Sequence, residues 1–255
     1  MIDPRLIESF ESLARRRDGR PAVIGISGAQ GCGKTTLARA LAQRFGGAGF
    51  SLDDVYFTRA EREALAAKVH PLLAVRGPPG THDLDLAHAT LDKLVRGELV
   101  GLPRFDKLAD DRGEEEPYRG PANVVLVDGW CLGATPQDEA ALAQTINPLE
   151  READGDGAWR RYVNSELAGP YQTFFHRFDV IVHLAAPSFA GVLDWRCEQE
   201  AGLLGLVPGE LPTARRTELA RFIQHFERIT RHMLDGGVGP GVTTVRITPD
   251  RHLPV

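Results

Sequence analysis

Cysteine is scarce in this 255-residue sequence, which contains only Cys32, Cys131 and Cys197. Because the three are scattered and odd in number, they do not form a disulfide framework. No two of them have the spacing of a metal site or a redox motif. Such thiols suit a reducing compartment, and we expect a cytoplasmic protein.

Positive charge is not in excess, since 30 Lys and Arg stand against 35 Asp and Glu and the formal net charge is −5. A general binder of nucleic acid or of anionic membranes is usually basic, so we expect no nucleic-acid or membrane partner. A small anionic substrate remains compatible with this charge, because a pocket can be basic locally.

Long apolar runs are also missing. The runs "VVLV" and "VIVHLAA" are far too short to span a bilayer and suit buried strands. The N-terminal segment "MIDPRLIESFESLARRR" carries acids and has no central apolar block, which argues against a signal peptide.

The chain does contain an alternation of strand-like and helical segments. Apolar patterning predicts strands at 22–27, 49–52, 123–127, 178–185 and 242–247, and helices at 4–17, 34–45, 58–68, 84–95, 159–177 and 219–234. The segment 99–121 is polar and turn-rich, and its acidic run 114–116 predicts a solvated loop. This order, without signals for β-hairpins, predicts an α/β fold with a mostly parallel central sheet and helices on both faces. We expect a single domain over 1–255, with lid and substrate-loop insertions.

The segment "GAQGCGKT", residues 28–35, matches the pattern G-x-x-x-x-G-K-[ST] in full, between an apolar strand and an amphipathic helix. Its glycines permit a backbone that wraps around an anion at the positive end of the following helix. Lys34 can reach the outer phosphates, and the Thr35 hydroxyl can bind Mg²⁺. The motif predicts a nucleoside triphosphate site and a P-loop NTPase-type three-layer sandwich. We assign nucleotide binding to Gly28, Ala29, Gln30, Gly31, Cys32, Gly33, Lys34, Thr35 and Thr36.

A second motif is "NVVLVDGW", in which an apolar strand ends at Asp128. A Walker-B acid holds Mg²⁺ or its waters from this position, at the carboxyl end of a buried strand beside the glycine loop. We therefore predict that Thr35 and Asp128 form the metal site.

Two further absences narrow the class of nucleotide-binding protein. The chain has neither the guanine-reading N-K-x-D of GTPases nor the S-G-G-Q signature of ABC transporter ATPases, which leaves small-molecule kinases and assorted ATPases. A kinase needs a carboxylate that orients the attacking hydroxyl, and "FSLDDVYFT" puts two acids at the end of the second strand. We favour Asp54 for this function, whereas Asp53 is explained equally well as a cap of the helix that begins near Thr58.

Six segments carry a resemblance to a known family: "GISGAQGCGKTTL", "SLDDVYFT", "RGPPGTHDL", "LPRFDKLADDRG", "VVLVDGWCLG" and "LDWRCEQE". In this order, from about Ala22 to Leu234, they resemble the plant and fungal D-glycerate 3-kinases and their bacterial relatives. That family lies within the phosphoribulokinase, uridine kinase and pantothenate kinase superfamily. The glycine loop is common to all P-loop proteins, whereas the patterns in "RGPPGTHDL", "PRFDK" and "DGWCLG" are more particular to glycerate kinases.

The resemblance implies functions for residues by their position. Asp54 matches the superfamily acid that activates the acceptor hydroxyl, and Arg196 falls where the family places a lid arginine over the phosphates. With Lys34, these two are the catalytic candidates. The implied acceptor contacts are Asp53, His82, Asp83, Arg104, Asp106 and Lys107, with Arg112 as a further candidate. The family usually has Glu where this chain has Asp128, which suggests that Mg²⁺ is held through water.

Physical chemistry independently requires cations around a small acid such as glycerate, because an unpaired carboxylate is costly to bury. The available cations are Arg76, Arg104, Lys107, Arg228 and Arg231. Any of them is explained about equally well as a solvated surface charge, although the neighbouring Pro103 and Phe105 favour a fixed loop around Arg104 and Lys107. His82 has a capping or core role as its alternative.

These observations together predict an enzyme that uses ATP and Mg²⁺ to phosphorylate D-glycerate to 3-phosphoglycerate. ATP as the nucleotide follows from the resemblance, and the segment "RITPDRHLPV" is a candidate for adenine contact. One alternative keeps the fold and changes the acceptor to a nucleoside, pantothenate or another hydroxy acid. A less favoured alternative is a P-loop accessory ATPase that acts on a protein partner through an exposed apolar patch.

Overall fold

A five-stranded parallel sheet forms the centre of the protein, in a computed structural model that describes residues 4–14, 19–207 and 209–253. The strands are β1 (Ala22–Gly28), β2 (Ala48–Ser51), β3 (Val100–Leu102), β4 (Phe105–Asp106), β5 (Asp111–Arg112), β6 (Glu116–Tyr118), β7 (Val124–Gly129), β8 (Val180–Ala185) and β9 (Val242–Arg246). The order in the main sheet is β2-β7-β1-β8-β9, and every neighbouring pair is parallel.

Helices connect these strands. They are α1 (Pro4–Ser9), α2 (Lys34–Phe45), α3 (Arg59–Lys68), α4 (Leu84–Arg96), α5 (Glu139–Ala143), α6 (Pro148–Ala153), α7 (Ala158–Glu166), α8 (Gln172–Phe175), α9 (Ala190–Leu203), α10 (Thr213–Phe222) and α11 (Gln224–Leu234). Short 3₁₀ turns cover Leu52–Asp54 and Pro71–Ala74. Within the described residues, none of the helices has the length and apolarity needed to cross a bilayer.

The strands β1 and β7 are buried on both faces of the sheet, and their alternate side chains point to opposite sides. Val23 and Val125 belong to one apolar cluster, whereas Ile24 and Leu126 belong to the other. The second cluster includes Leu37 of α2. This arrangement confirms the predicted three-layer α/β fold with helices on both faces.

The register of the sheet brings the predicted motifs to one edge. Asp128 in β7 lies opposite Ile26 of β1 and Ser51 of β2. Because all three strands are parallel, their carboxyl ends meet at the same place, and ligands of open α/β sheets bind there. The glycine loop, Asp128 and the turn Leu52–Asp54 therefore lie side by side.

Three predicted helices differ from the structure. The predicted helix 4–17 is helical only over Pro4–Ser9, and residues 15–18 lie outside the described part of the chain. The predicted helix 219–234 is two helices that meet at Ile223. A π-helical turn, Leu167–Tyr171, interrupts the predicted helix 159–177 because Pro170 inside it has no N–H to donate.

The polar, turn-rich segment 99–121 contains short strands that were not predicted, although its acidic run 114–116 is exposed as expected. It forms two antiparallel ribbons, in which β3 pairs with β6 and β4 pairs with β5. Their strands are only two or three residues long, too short for an alternating pattern to be visible in the sequence.

Candidate active site

The glycine loop joins β1 to α2 in a conformation that requires glycine at three positions. Gly28, Gly31 and Gly33 have φ values of 153°, 77° and 95°. A Cβ atom at Gly31 would lie 2.6 Å from the Cβ of Trp195, so this position also excludes side chains by contact. The loop turns directly into α2, whose N-terminus begins at Lys34. This geometry is that of an anion cradle at a helix N-terminus.

The two predicted metal ligands lie in contact. The Thr35 hydroxyl donates to Oδ1 of Asp128 at 2.9 Å, and the Ser51 hydroxyl donates to the same oxygen at 3.1 Å. Burial raises the pKa of Asp128, while the nearby charge of Lys34 opposes that shift. A hydroxyl and a carboxylate are hard oxygen donors that suit Mg²⁺, which usually adds waters and substrate phosphates to one or two protein ligands. The residues present therefore fit the ion.

Asp54 is bound locally. Its Oδ2 accepts the backbone N–H of Ser51 at 3.0 Å and completes a capping box around the turn Leu52–Asp54. Arg104 lies 3.5 Å from the same oxygen. Burial raises the pKa of Asp54 above its ordinary value. Its side chain lines a cavity of about 150 Å³ shared with Arg39 and Asp128, beside α2.

Asp53 faces another cavity. The Tyr56 hydroxyl donates to Oδ1 of Asp53 at 2.7 Å, and the Lys107 ammonium lies 2.9 Å from Oδ2. Burial by itself would raise the pKa of Asp53, but the charges of Lys107 and Lys34 outweigh it and hold the pKa well below its ordinary value. Asp53 is therefore a carboxylate that stays ionised.

The cavity that Asp53 faces has a volume of about 80 Å³ and adjoins the glycine loop. Its lining includes four cations: Lys34, Arg76, Lys107 and Arg196. Asp53 is its one acid among the described residues. Trp130 and Phe226 form apolar wall, and the Trp130 indole donates to the Gly77 carbonyl at 2.9 Å. The cavity therefore combines positive charge with one ionised carboxylate.

Arg196, which was predicted as a lid arginine, lines this cavity from α9. One of its guanidinium nitrogens lies 2.7 Å from Glu200 on the next turn. A second guanidinium nitrogen, Nη1, is buried and has no hydrogen-bond partner among the described residues. A buried, unpaired guanidinium nitrogen costs free energy unless a ligand meets it, and an anionic phosphoryl group would do so.

His82 and Asp83, predicted as acceptor contacts, have different surroundings. His82 is buried with its ring centroid 4.6 Å from that of Tyr56, directly behind the cavity wall. Burial lowers the pKa of His82 to about 3. Asp83 instead caps α4 by accepting the N–H of Leu86, and its other oxygen lies 2.7 Å from Arg112. The structure therefore gives Asp83 and Arg112 a structural pairing outside the cavity lining.

Of the predicted acceptor contacts in and beside the β4–β5 ribbon, only Lys107 lines the cavity that Asp53 faces. Lys107 reaches the cavity, but Asp106 is exposed and its Oδ1 accepts the N–H groups of Leu108 and Ala109 in the ribbon turn. Arg104 lies 2.6 Å from Glu116 and lines the cavity beside α2. Asp106 is thus a turn residue in this structure.

Of the other cations predicted to bind a small acid, one lines this cavity and two form ion pairs elsewhere. Arg76 lines the cavity. Arg228, in the middle of α11, is buried, and its Nη2 lies 2.6 Å from Oε2 of Glu150. Arg231 is 55% exposed and pairs with Glu227. Among the pool, Arg76 and Lys107 are therefore the two that can meet a bound acid beside Asp53.

A third cavity lies on the outer side of the glycine loop, next to Gly33 and Thr36. Arg251, from the predicted adenine-contact segment, also lines it and donates from Nε to the Gly31 carbonyl at 2.7 Å. Its guanidinium carbon lies 5.2 Å from the centre of the Trp195 ring. The C-terminal segment thus reaches the glycine loop, except for its last two residues, which lie outside the described part of the chain.

Sequence reasoning missed two side chains that line the cavity beside Asp53. Tyr56 orients Asp53, and its position three residues after that acid on a short turn was the available signal. Gln199 lines the cavity one helical turn after Arg196, at a spacing that places both on one face of α9.

Known proteins with similar sequences and structures are kinases. No protein-family model matches this chain. It is 34% identical over 238 residues to mug58, an uncharacterized kinase of Schizosaccharomyces pombe, across 86% of this chain and 83% of that protein. It is 35% identical over 208 residues to the chloroplastic D-glycerate 3-kinase of Arabidopsis thaliana, across 73% of this chain but only 42% of the Arabidopsis protein. A solved D-glycerate 3-kinase from Cryptococcus neoformans has the same fold, with a TM-score of 0.76 and 23% identity over 98% of both chains.

The fold, the glycine loop and these relatives define an ATP-dependent phosphotransferase that acts on an alcohol group. This confirms the predicted enzyme class. Within that class, the chain belongs to the D-glycerate 3-kinase-like family of P-loop kinases.

Proposed function

We propose that this kinase transfers the γ-phosphoryl group of ATP to a hydroxyl of D-glycerate, giving ADP and 3-phosphoglycerate. The observation that carries the proposal is the cavity between Lys34 and Asp53, which Arg76 and Lys107 also line. An acid substrate needs cations when it leaves water, whereas an uncharged nucleoside does not. The D-glycerate 3-kinase of Arabidopsis, 35% identical in the aligned region, supports the same acceptor.

The glycine loop would hold the phosphates through its backbone N–H groups, with Lys34 and Arg196 over the group in transfer. Thr35 and Asp128 would hold Mg²⁺, which supplies charge neutralisation for the phosphates when bound. These groups act where negative charge develops, and fixed charges in a cavity sheltered from water stabilise it more than solvent does.

Asp53, rather than Asp54, is the carboxylate that we propose for the acceptor hydroxyl. It faces the cavity of Lys34, and each of its oxygens keeps a lone pair beside the bonds to Tyr56 and Lys107. In a loose transition state the hydroxyl oxygen bonds to phosphorus before its proton is lost. A carboxylate with a low pKa can therefore orient the hydroxyl early and accept the proton late, after the bond to the leaving oxygen of ADP has largely broken and as the bond to the acceptor oxygen is completed.

A coupled assay of ADP release tests the acceptor, with D-glycerate, L-glycerate, glycerol, uridine and pantothenate offered in turn. We expect D-glycerate to stimulate ADP release most, and the product to carry the phosphate on its terminal oxygen by ³¹P NMR. Stimulation by uridine or pantothenate, without any by D-glycerate, would assign the nucleoside or pantothenate alternative instead.

A matched pair of variants tests the carboxylate site. Arg76→Gln removes a cation from the cavity, whereas Arg231→Gln removes an exposed arginine from α11. We expect the KM for D-glycerate to rise roughly tenfold to a hundredfold in Arg76→Gln, since charged hydrogen bonds contribute about 1.5–3 kcal/mol. The KM for ATP should change little, and Arg231→Gln should resemble the unmodified enzyme. Equal effects of the two variants would remove Arg76 from the acceptor site.

A further inference from the structure

Two buried polar atoms of the cavity beside Asp53 have no hydrogen-bond partner among the described residues. One is Nη1 of Arg196, a donor, and the other is Oε1 of Gln30, an acceptor. The other unpaired buried side-chain atoms of the described residues belong to side chains that do not line this cavity. Buried polar atoms are nearly always paired, so an unpaired one in a substrate cavity indicates a place for a ligand atom.

The backbone on both sides of Gln30 is held in place, which gives its side chain a defined position. Ala29, before it, is buried. Gly31, after it, has a φ of 77°, lies against Trp195, and accepts a hydrogen bond from Arg251 at its carbonyl. The glycine-loop motif uses backbone N–H groups at this position to bind phosphate. The side chain of Gln30 therefore has no function in the motif itself.

The cavity contains many donors and few acceptors. Its four cations can only donate hydrogen bonds, and they are Lys34, Arg76, Lys107 and Arg196. Asp53 accepts from Tyr56 and lies beside Lys107, and we propose that it also holds the reacting hydroxyl. Gln199 lines the cavity too, but its side chain is exposed. Oε1 of Gln30 is the buried side-chain oxygen of this cavity that has no partner among the described residues.

D-Glycerate would bring two hydroxyl hydrogens into this cavity. In the proposed function, Asp53 accepts from the hydroxyl that receives the phosphoryl group, and the cations bind the carboxylate. The hydrogen of the 2-hydroxyl needs a further acceptor, because an unpaired hydroxyl costs free energy in a cavity sheltered from water. Gln30 lines the same cavity as Asp53 and has such an acceptor.

We propose that Oε1 of Gln30 accepts a hydrogen bond from the 2-hydroxyl of D-glycerate, which makes Gln30 a specificity-determining residue for the acceptor. The inference rests on the proposed function and deepens it. It predicts discrimination against 3-hydroxypropionate, which has the same carboxylate and the same reacting hydroxyl but no 2-hydroxyl. A site built to bond a substrate hydroxyl disfavours an analogue without it, because the polar group of the site is then left unpaired.

Kinetics of Gln30→Met with the two acids test the contact. The variant removes the amide oxygen and keeps a side chain of similar length. We expect kcat/KM for D-glycerate to fall roughly threefold to tenfold, whereas kcat/KM for 3-hydroxypropionate and the KM for ATP should change little. Equal losses for the two acids would show that Gln30 acts on the phosphoryl group or through Arg196, and would overturn the inference.

Gln199→Met is the matched control, since it makes the same chemical change at the exposed glutamine of the same cavity. Any effect of this variant should be equal for D-glycerate and 3-hydroxypropionate. If Gln199→Met, and not Gln30→Met, reduced the preference for D-glycerate, the 2-hydroxyl contact would belong to Gln199 and the inference would be wrong.

A crystal structure of the unmodified enzyme with ADP and D-glycerate tests the contact without any variant. We expect the 2-hydroxyl oxygen within about 3.2 Å of the Gln30 amide oxygen, and a 2-hydroxyl bound by another group would overturn the inference. Turnover by the unmodified enzyme separates the two proposals. If D-glycerate does not stimulate ADP release, the proposed acceptor and this contact both fail. If D-glycerate is phosphorylated and Gln30→Met affects both acids equally, only the contact fails.

Discussion

Asp53 and Asp54 are neighbours with opposite surroundings. Both belong to the 3₁₀ turn Leu52–Asp54, which directs consecutive side chains apart. Asp54 turns back onto the N–H of Ser51, and burial raises its pKa. Asp53 lies between cations, and these hold its pKa low despite burial. Two consecutive acids therefore differ in function: Asp54 caps the turn, whereas Asp53 faces the cavity that Lys34 also lines.

Replacing each acid by its amide separates the two. Asp53→Asn should lower kcat by about 10²–10⁴-fold, because it removes the carboxylate that we propose orients and deprotonates the hydroxyl. Asp54→Asn should have a smaller effect, mainly on stability, through the weakened cap at Ser51. Steady-state kinetics of both variants, with the KM for ATP as a control, make the comparison. If Asp54→Asn proved the more damaging to kcat, the assignment would revert to Asp54.

The sequence alone could not distinguish these acids. "LDD" predicts a carboxylate at the end of β2, and the register of Ser51 against Asp128 puts both acids at the correct edge. Which one faces Lys34 depends on the tight turn that follows the strand, and the 3₁₀ turn leaves no periodic pattern in three residues. The glycine loop was predictable because each glycine has a backbone requirement of its own.

At the scale of the element, Asp110 ties the β4–β5 ribbon to α3 and to the loop that carries Arg76. Asp110 has a φ of 56° and lies 2.6 Å from the fully buried Arg62, with Arg76 bound to its other oxygen. Arg62 also donates to the Phe57 and Ala74 carbonyls. This network fixes the ribbon that carries Lys107 and orients Arg76 at the cavity.

Asp110→Asn should therefore affect stability and acceptor binding together. Asparagine tolerates the left-handed backbone, so the change mainly removes the charge opposite Arg62. We expect a loss of about 1–3 kcal/mol in the free energy of unfolding, measured by urea denaturation, because a buried guanidinium keeps only neutral partners. The KM for the acceptor should rise as Arg76 loses its anchor. Asp111→Asn, at the adjacent position of β5, is the control, and equal losses in both variants would contradict this account.

The sequence has no periodic pattern that predicts this ribbon, although it contains the charged residues that hold the ribbon in place. The polar character of 99–121 reflects charges that pair with α3 and with the loop after it, such as Asp110 with Arg62. Polar composition predicts solvent exposure by default, and pairing over 48 positions of sequence cannot be read from one chain. The centre of the main sheet was predictable because β1 and β7 are apolar on both faces.

At the scale of the whole molecule, three buried histidines make stability depend on pH. Burial lowers the pKa of His82 to about 3 and those of His183 and His225 to about 4. An unfolded chain binds these protons near pH 6.5, so protonation favours unfolding below that value. The stability from neutral rings is complete above about pH 6.5 and is lost as the pH falls towards 4.

The free energy of unfolding should fall by about 1 kcal/mol per buried histidine between pH 7 and pH 5.5. Urea denaturation at the two values measures this slope. His183→Leu, in β8, should reduce the slope by about one third if the three contribute alike, whereas replacement of the exposed His176 should leave it unchanged. A slope that is the same in all three proteins would show that other groups govern the pH dependence.

The cluster of cations beside Asp53 has a practical consequence for handling the enzyme. Lys34, Arg76 and Arg196 converge on a space suited to tetrahedral oxyanions, so sulfate and inorganic phosphate are expected to compete there with both substrates. Michaelis constants obtained in phosphate buffer would then describe displacement of the buffer as well as affinity. Crystals grown from ammonium sulfate should carry an ion at this spot, and chloride or HEPES media offer the cleaner reference.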